Sequence, residues 1–446
     1  MSKTLYKKYK LSSFDKNYTA KVYLKNPDKY RQLEKDSSEA ESLISRGAGY
    51  SYIAASFRKE TLSLSMKNFN RILYFSEKEK IITVEAGMTI VELLNFTLGF
   101  GIWIAQIPGY PFISIGGAVA ANVHGKSAEL HGTIKNAIKN ILIFHKDHGW
   151  LNLSNDENKN IFDLTIGGYG LTGTIVSVTL KLIDFEGFNF QTSISKTSSI
   201  TDSVNFIKNN KEKNNLIYSW NRVDSNLNFG DGLIFCTKTN SQHKEKKLNI
   251  SKTDNLRFLG NFPYFCLWNK LSIKTFNYFF LNYYNYLKKS VYSCNFNDVV
   301  FPVVGKEFYF SLFGNKGFIS NQILISYEKV ESFVNDFKNL INIHKPTITL
   351  FSAKGMSGEH RYLRFEGNMI CLTFDVVKNQ KNLNFINELD KLYIKYDVVP
   401  SLIKDSRLKK EVFDKCYKFA NEFRRDLRNF DQKRSYRSEL SDRLDL

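Results

Sequence analysis

The run "GGAVAANVHGKSAELHGT" at residues 116–133 constrains this chain more than any other stretch. Seven of its first ten residues are Gly, Ala or Asn, in a sequence otherwise crowded with Phe, Tyr, Ile and Lys. Side chains this small let a bound group approach the backbone N–H groups without a Cβ in the way. The run then places His124 and Lys126 at its end. Two further segments share this thinness, "SRGAGYSY" at 45–52 and "GGYGLTG" at 167–173. One such loop can bind a phosphate, and three together can wrap an extended dinucleotide.

Two familiar phosphate-binding readings fail. Gly168 to Gly173 spells a formal G-x-G-x-x-G, which the dinucleotide fingerprint requires between a preceding strand and a following helix. Here the helical stretch "NIFDLTIG" precedes and the strand "TIVSVTLKL" follows. No G-x-x-x-x-G-K-[ST] occurs, which excludes a P-loop.

The length of 446 residues suffices for two or three domains. No run of eighteen apolar residues exists and "MSKTLYKKYK" carries no signal-like apolar stretch, so the expected compartment is cytoplasmic, with no transmembrane helix. The five cysteines are widely spaced without C-x-x-C, which argues for reduced thiols and against a zinc site; no metal is expected. The formal charge of +19 invites a polyanion or an anionic membrane surface, although drift towards Lys, Asn and Ile accounts for it equally well. No nucleic-acid motif or basic block is present.

Local patterns alternate strand and helix without βαβ order, the mark of an α+β fold. Residues 71–87 and 140–154 read as hairpins, the second turning at Asp147-His148-Gly149. Residues 89–101 read as a helix capped by Thr89, residues 173–185 as a half-buried strand, and 330–343 as an amphipathic helix. Residues 241–255 form a polar loop. The aromatic stretch 269–289 reads as a helix packed on its domain, with a membrane-surface element as the alternative. The tail from Arg424 carries both charge signs and is expected to be mostly solvated.

The ordered segments "RGAGYS", "VEAGMTIVELL", "PGYPFISIGGAVAANVHGK" and "FDLTIGGYGLTGTIVSVTLKL" resemble the FAD-binding domain of the vanillyl-alcohol-oxidase type, over residues 40–185. Within that superfamily, "GGAVAANVHGKS", "GGYGLTG" and "KDSR" are most similar to the decaprenylphosphoryl-β-D-ribose 2′-oxidases. The resemblance implies a two-domain fold, with an FAD-binding domain at 1–185, an antiparallel-sheet substrate domain inserted at 186–398, and a segment at 399–446 returning to the first. It implies hydride transfer from a sugar carbinol to flavin N5, on the ribose of a polyprenyl-phosphoryl ribose, with an NAD(P)H-dependent short-chain reductase acting next towards arabinose. A lipid-linked substrate would bring the protein to a membrane surface. Alternatives are an aldonolactone or alditol oxidase acting on a neutral polyol, and a basic polyanion- or membrane-binding protein without catalysis.

The same resemblance assigns residues. Ser45, Arg46, Gly47, Ala48, Gly49, Tyr50, Ser51 and Tyr52 form the first cofactor cradle. Gly109, Ser114, Ile115, Gly116, Gly117, Ala121, Asn122 and Val123 form the second, with Ile175 beyond. Many relatives carry a flavin-linking histidine in the first cradle; Tyr50 stands in that motif here, so FAD is expected to be noncovalent. His124 and Lys404 take catalytic roles, the latter as an ammonium beside the flavin or as a base. Lys126, Gln322, Lys354 and Cys371 fall at substrate positions. Ser401 replaces a tyrosine of the family, and His131 has no matched role.

Overall fold

Strands Ile72–Ser76 and Ile81–Glu85 pair antiparallel, as do Ile138–His145 and Gly149–Ser154, so both expected hairpins are present. The structure, a computed structural model, describes residues 7–211, 216–223, 229–239, 265–284 and 291–446. Strand Thr174–Lys181 lies between the two hairpins and completes a five-stranded antiparallel sheet. Helix Ile90–Thr97 starts where expected: the Glu92 N–H donates to Thr89 Oγ1, and the Thr89 N–H donates to the Glu92 carboxylate at 2.7 Å. A mixed four-stranded sheet stands beside this one, in the order Lys8–Ser12, Thr19–Lys25, Leu62–Ser65, Leu43–Arg46.

The strand Thr174–Lys181 is buried almost throughout, not half-buried. A bulge between Ile175 and Ser177 breaks the alternation. Val176 therefore joins Leu33, Met66, Phe69 and Phe144 on one side, while Val178 and Leu180 pack with Ile82, Val84 and Ile141 on the other.

Two antiparallel four-stranded sheets follow. One runs Leu216–Asn221, Gly232–Thr239, Asn189–Thr197, Val291–Asn295. The other runs Ile348–Met356, Met369–Val377, Phe318–Ile325, Val399–Pro400, so the first two residues after 398 still pair here. The Ala353 N–H donates to Ser219 Oγ at 3.0 Å and links the sheets. Helices Val330–His344 and Gln380–Lys395 back the second sheet, with Phe337 packed against Phe351, Phe374 and Phe385. The polar loop 241–255 and residues 285–289 of the aromatic stretch lie outside the described residues.

The C-terminal tail is not solvated. Helices Ala420–Phe430 and Glu439–Leu444 bury Phe423, Leu427, Leu440 and Leu444, apolar residues at helical spacing that the abundant charges obscure in the sequence. Arg424 is itself buried, donating to Asp414 Oδ1 at 2.5 Å and to the Leu444 carbonyl at 2.7 Å. Tyr436 sits against Leu43, Leu62 and Leu64, and its hydroxyl donates to the Phe144 carbonyl at 3.0 Å. The last segment is thereby stitched to the first sheet. All five cysteines are free. Among the described residues, no helix is long and apolar enough to cross a membrane.

Candidate active site

The three small-residue segments meet around one cleft of about 900 Å³. Ser45, Gly47, Ala48, Gly49, Tyr50 and Ser51 line it from the first segment; Ser114, Gly116, Gly117, Ala121 and Val123 line it from the second, together with Ile175. Close approach explains the glycines. A Cβ on Gly47 would stand 2.0 Å from Ser114 Oγ, and one on Gly116 would stand 2.8 Å from the Ala86 Cβ. The third segment is tied to the second by bonds from Gly167 N to the Val119 carbonyl (3.1 Å) and Tyr169 N to the Ala120 carbonyl (2.8 Å). A wall made of backbone and small side chains from three loops fits the diphosphate of an extended dinucleotide such as FAD.

Five expected cofactor residues do not line the cleft. Arg46 turns to Ser56 Oγ (2.9 Å) and the Phe57 ring. Tyr52 packs against Phe14, Phe310 and Phe318 and is not part of the cleft wall. Gly109 lies nearest Pro302 and Val300. Ile115 is core, fully buried with Ile90 and Leu93. Asn122, at φ 44°, donates to the buried Glu366 carboxylate at 3.2 Å. In a tight turn neighbouring side chains leave on opposite sides, which a contiguous motif cannot distinguish. Conversely Met66, Ala86, Ile113, Tyr169, Gly170, Gly173 and Ile403 line the cleft without having been expected. Ala86, Ile113, Tyr169, Gly170 and Gly173 belong to recognised segments, so a signal for them existed.

Beyond the cleft the chain gathers charge. Lys354 faces Cys371 directly across paired strands, and Gln322 faces Thr373, donating to its hydroxyl at 3.1 Å. Cys371 Sγ approaches Thr373 Oγ1 at 3.9 Å on the same sheet face. The Lys354 ammonium donates to the Gly125 carbonyl at 3.0 Å, binding this sheet to the "HGK" turn. His124 stacks on Phe365 at 5.5 Å. Lys404 arrives on the turn after Val399–Pro400, where Ser401 N donates to the Gln322 carbonyl at 2.7 Å. Arg407 anchors that turn by ion pairs to Asp390 (2.5 Å) and Asp405 (2.8 Å).

His124, Lys126, Lys354 and Lys404 are surrounded by protein yet each keeps some accessible surface, and Lys354 is near enough to influence the other three. Burial pulls Lys404 down to about 8, with Lys354 adding to the shift and Asp375 opposing it. Lys126 falls to about 7 through burial and repulsion from Lys354 and Lys306. Burial, then Lys354 and Lys404, hold His124 well below its usual value, so it is neutral at pH 7. Burial raises the Cys371 thiol, against the pull of Lys354. Asp375, on this same face, accepts from the Tyr309 hydroxyl at 3.0 Å, and burial pushes its carboxyl up. Neither Asp375 nor Tyr309 was expected at the site.

Lys126 also borders a second cavity of about 660 Å³ walled by Trp103, Ile107, Phe190 and Val300. Its ammonium donates to the Val299 carbonyl at 3.0 Å and lies 4.0 Å from the Tyr218 ring centre. His131 lines the same cavity. Among the described residues no cluster of His, Cys, Asp and Glu could hold a metal ion.

Residues 20–154 match the family model of the FAD binding domain. Over 425 residues, covering 91% of this chain and 89% of the relative, the sequence is 24% identical to decaprenylphosphoryl-beta-D-ribose oxidase of Mycolicibacterium smegmatis. It is 26% identical to D-arabinono-1,4-lactone oxidase of Saccharomyces cerevisiae over 44% of this chain. It is 22% identical to L-gulonolactone oxidase of Mus musculus over 37% of this chain. Those two matches span only 39% of each relative's own length.

Proposed function

From the premise that this chain is an FAD-dependent oxidoreductase of the vanillyl-alcohol-oxidase superfamily, we propose that it oxidises the ribose 2′-hydroxyl of a polyprenyl-phosphoryl-β-D-ribose. The premise removes the reading as a non-catalytic polyanion-binding protein. One observation carries the choice of substrate. Burial lowers Lys126, Lys354 and Lys404 alike, and the Lys354 ammonium, held on the Gly125 carbonyl beside the "HGK" turn, depresses the other two further, with Asp375 opposing it at Lys404. Ammonium groups held together in low dielectric are relieved by an anionic ligand, whereas a neutral polyol leaves their repulsion in place.

Bound FAD would occupy the small-residue cleft and accept the hydride lost from the carbinol carbon. The chain's own residues position and neutralise. Lys404 supplies positive charge next to the cleft, since Ile403 beside it forms part of the cleft wall. His124, held neutral, can take the hydroxyl proton. Lys126 and Lys354 hold the phosphate, and Gln322 and Cys371 contact the sugar from the sheet. No histidine or cysteine stands among the residues lining the cleft, which supports noncovalent FAD. We assign residues 1–185 with 399–446 to the FAD unit and 186–398 to the substrate unit. The 2-keto product would pass to an NAD(P)H-dependent short-chain reductase, and a lipid-linked substrate brings the enzyme to a membrane surface.

Anaerobic mixing of the FAD-loaded protein with candidate substrates tests the reading. Bleaching of the flavin band by a polyprenyl-phosphoryl ribose, and not by an aldonolactone or alditol, is expected. Equal or faster bleaching by the neutral sugars would overturn it.

A further inference from the structure

Helix Lys270–Asn282 leaves a large apolar face uncovered. Leu271, Tyr278 and Phe279 are 74%, 61% and 65% exposed, and their spacing of seven and eight residues puts them on one side of the helix. Phe308, 58% exposed, belongs to the segment packed at the start of this helix, where Trp268 donates its indole N–H to the Tyr309 carbonyl at 3.2 Å. Contiguous exposed aromatics of this size mark an interaction surface.

The surrounding charge identifies the partner. Between Asp254 and Asp298 the sequence holds no Asp or Glu, while Lys270 and Lys274 lie on the helix itself. Lys306 flanks Phe308, and the neighbouring Glu307 is buried. An exposed apolar face on a helix that carries lysines and no acidic residue is complementary to an anionic lipid surface, where rings enter the headgroup boundary and ammonium groups meet phosphates. On its inner side the helix leads to the site by successive ring contacts: Phe280 to Phe235 (6.5 Å), Phe235 to Tyr218 (5.0 Å), and Tyr218 beneath Lys126 (4.0 Å).

We propose that the exposed face of helix Lys270–Asn282, with Phe308, docks the enzyme on an anionic bilayer and sets Lys126 near the lipid surface. This deepens the lipid-linked substrate reading and rests on it for its purpose alone. The binding test uses no substrate, so either idea can fail without the other.

The holoenzyme would be sedimented with phosphatidylcholine vesicles, with and without phosphatidylglycerol. Binding to the anionic vesicles is expected. The double variant Leu271→Ser/Phe279→Ser should weaken it by about tenfold or more through lost apolar burial. Reversing Lys270 and Lys274 to Glu should weaken it by about fivefold or more for each charge. Retained flavin absorbance reports that both variants are folded. Holoenzyme that stays in the supernatant with anionic vesicles would overturn the proposal, as would unchanged binding by both variants. Light scattering covers the remaining occupant: a dimer that Phe279→Ser dissociates, in protein that ignores vesicles, would assign the face to a second copy and also overturn it.

Discussion

The Lys404 ammonium lies 3.5 Å from the centre of the Tyr52 ring, so the first cradle segment and Lys404 meet at a single aromatic side chain. A cation over a shielded ring gains about 1–2 kcal/mol and is held in place by it. Replacing Tyr52 with Leu should therefore lower turnover while Tyr52→Phe preserves it. Lys404→Met should cost about 10²-fold or more in kcat. Steady-state kinetics on FAD-saturated protein checks both, and normal turnover by Lys404→Met would remove that lysine from the mechanism.

Burial dominates where Lys404 titrates, and Asp375 opposes it. Its negative charge raises the Lys404 value, which stands at about 8 against the depressing effects of burial and Lys354. With Asp375→Asn that support disappears, and Lys404 should lose its proton at lower pH. The alkaline limb of the turnover profile is expected to move to more acid pH, with FAD content unchanged. A limb that stays in place would separate Asp375 from Lys404.

Lys126 makes stability depend on pH in the opposite sense from a surface ion pair. Its value falls from 10.5 in a free chain to about 7 in the fold, so the unfolded chain binds more protons between those limits. The penalty of burying the charged form is complete below about pH 7 and is relieved as pH rises towards 10.5. Lys126→Met should raise Tm at pH 6, and the gain should vanish near pH 10. A gain independent of pH would point to packing instead.

Gly47 and Ser114 occupy one space. Ala at 47 brings a Cβ to 2.0 Å from Ser114 Oγ, which forces the two cradles apart at a cost of about 1–3 kcal/mol. Gly47→Ala should weaken FAD retention, measured by equilibrium dialysis. Adding Ser114→Ala removes the clashing oxygen and should recover part of the affinity, since the remaining approach, to Ser114 Cβ, is 3.2 Å.

Leu440 is fully buried between the last helix and the body of the fold. Truncating it to Ala should cost about 2–5 kcal/mol, read from the urea midpoint. A solvated tail would show no change.

What could be read in advance was what is local. The hairpin strands and the Thr89-capped helix follow from patterns a few residues long, and the three thin loops announce themselves by composition. Orientation within those loops was hidden: Arg46, Tyr52 and Ile115 belong to the right segments but do not line the cleft. Asp375 escaped because Met369–Val377 is buried on both faces, which erases the period of two that would separate its sides. Tyr309 reaches Asp375 only through tertiary packing. The docked tail was masked by its own charges, although Phe423, Leu427, Leu440 and Leu444 lie in plain view.

The turn bearing Lys404 is held from three directions: by Gln322 of the sheet, by Arg407 through Asp390 and Asp405, and by the Tyr417 hydroxyl, which donates to the Pro400 carbonyl at 2.6 Å. All of this lies late in the chain, while the cradle it completes lies near the start. During synthesis the ribosome releases the cradle loops long before it makes the turn that bears Lys404. A chain stopped before Val399 would thus contain all three cradle segments without Lys404 or the turn that carries it.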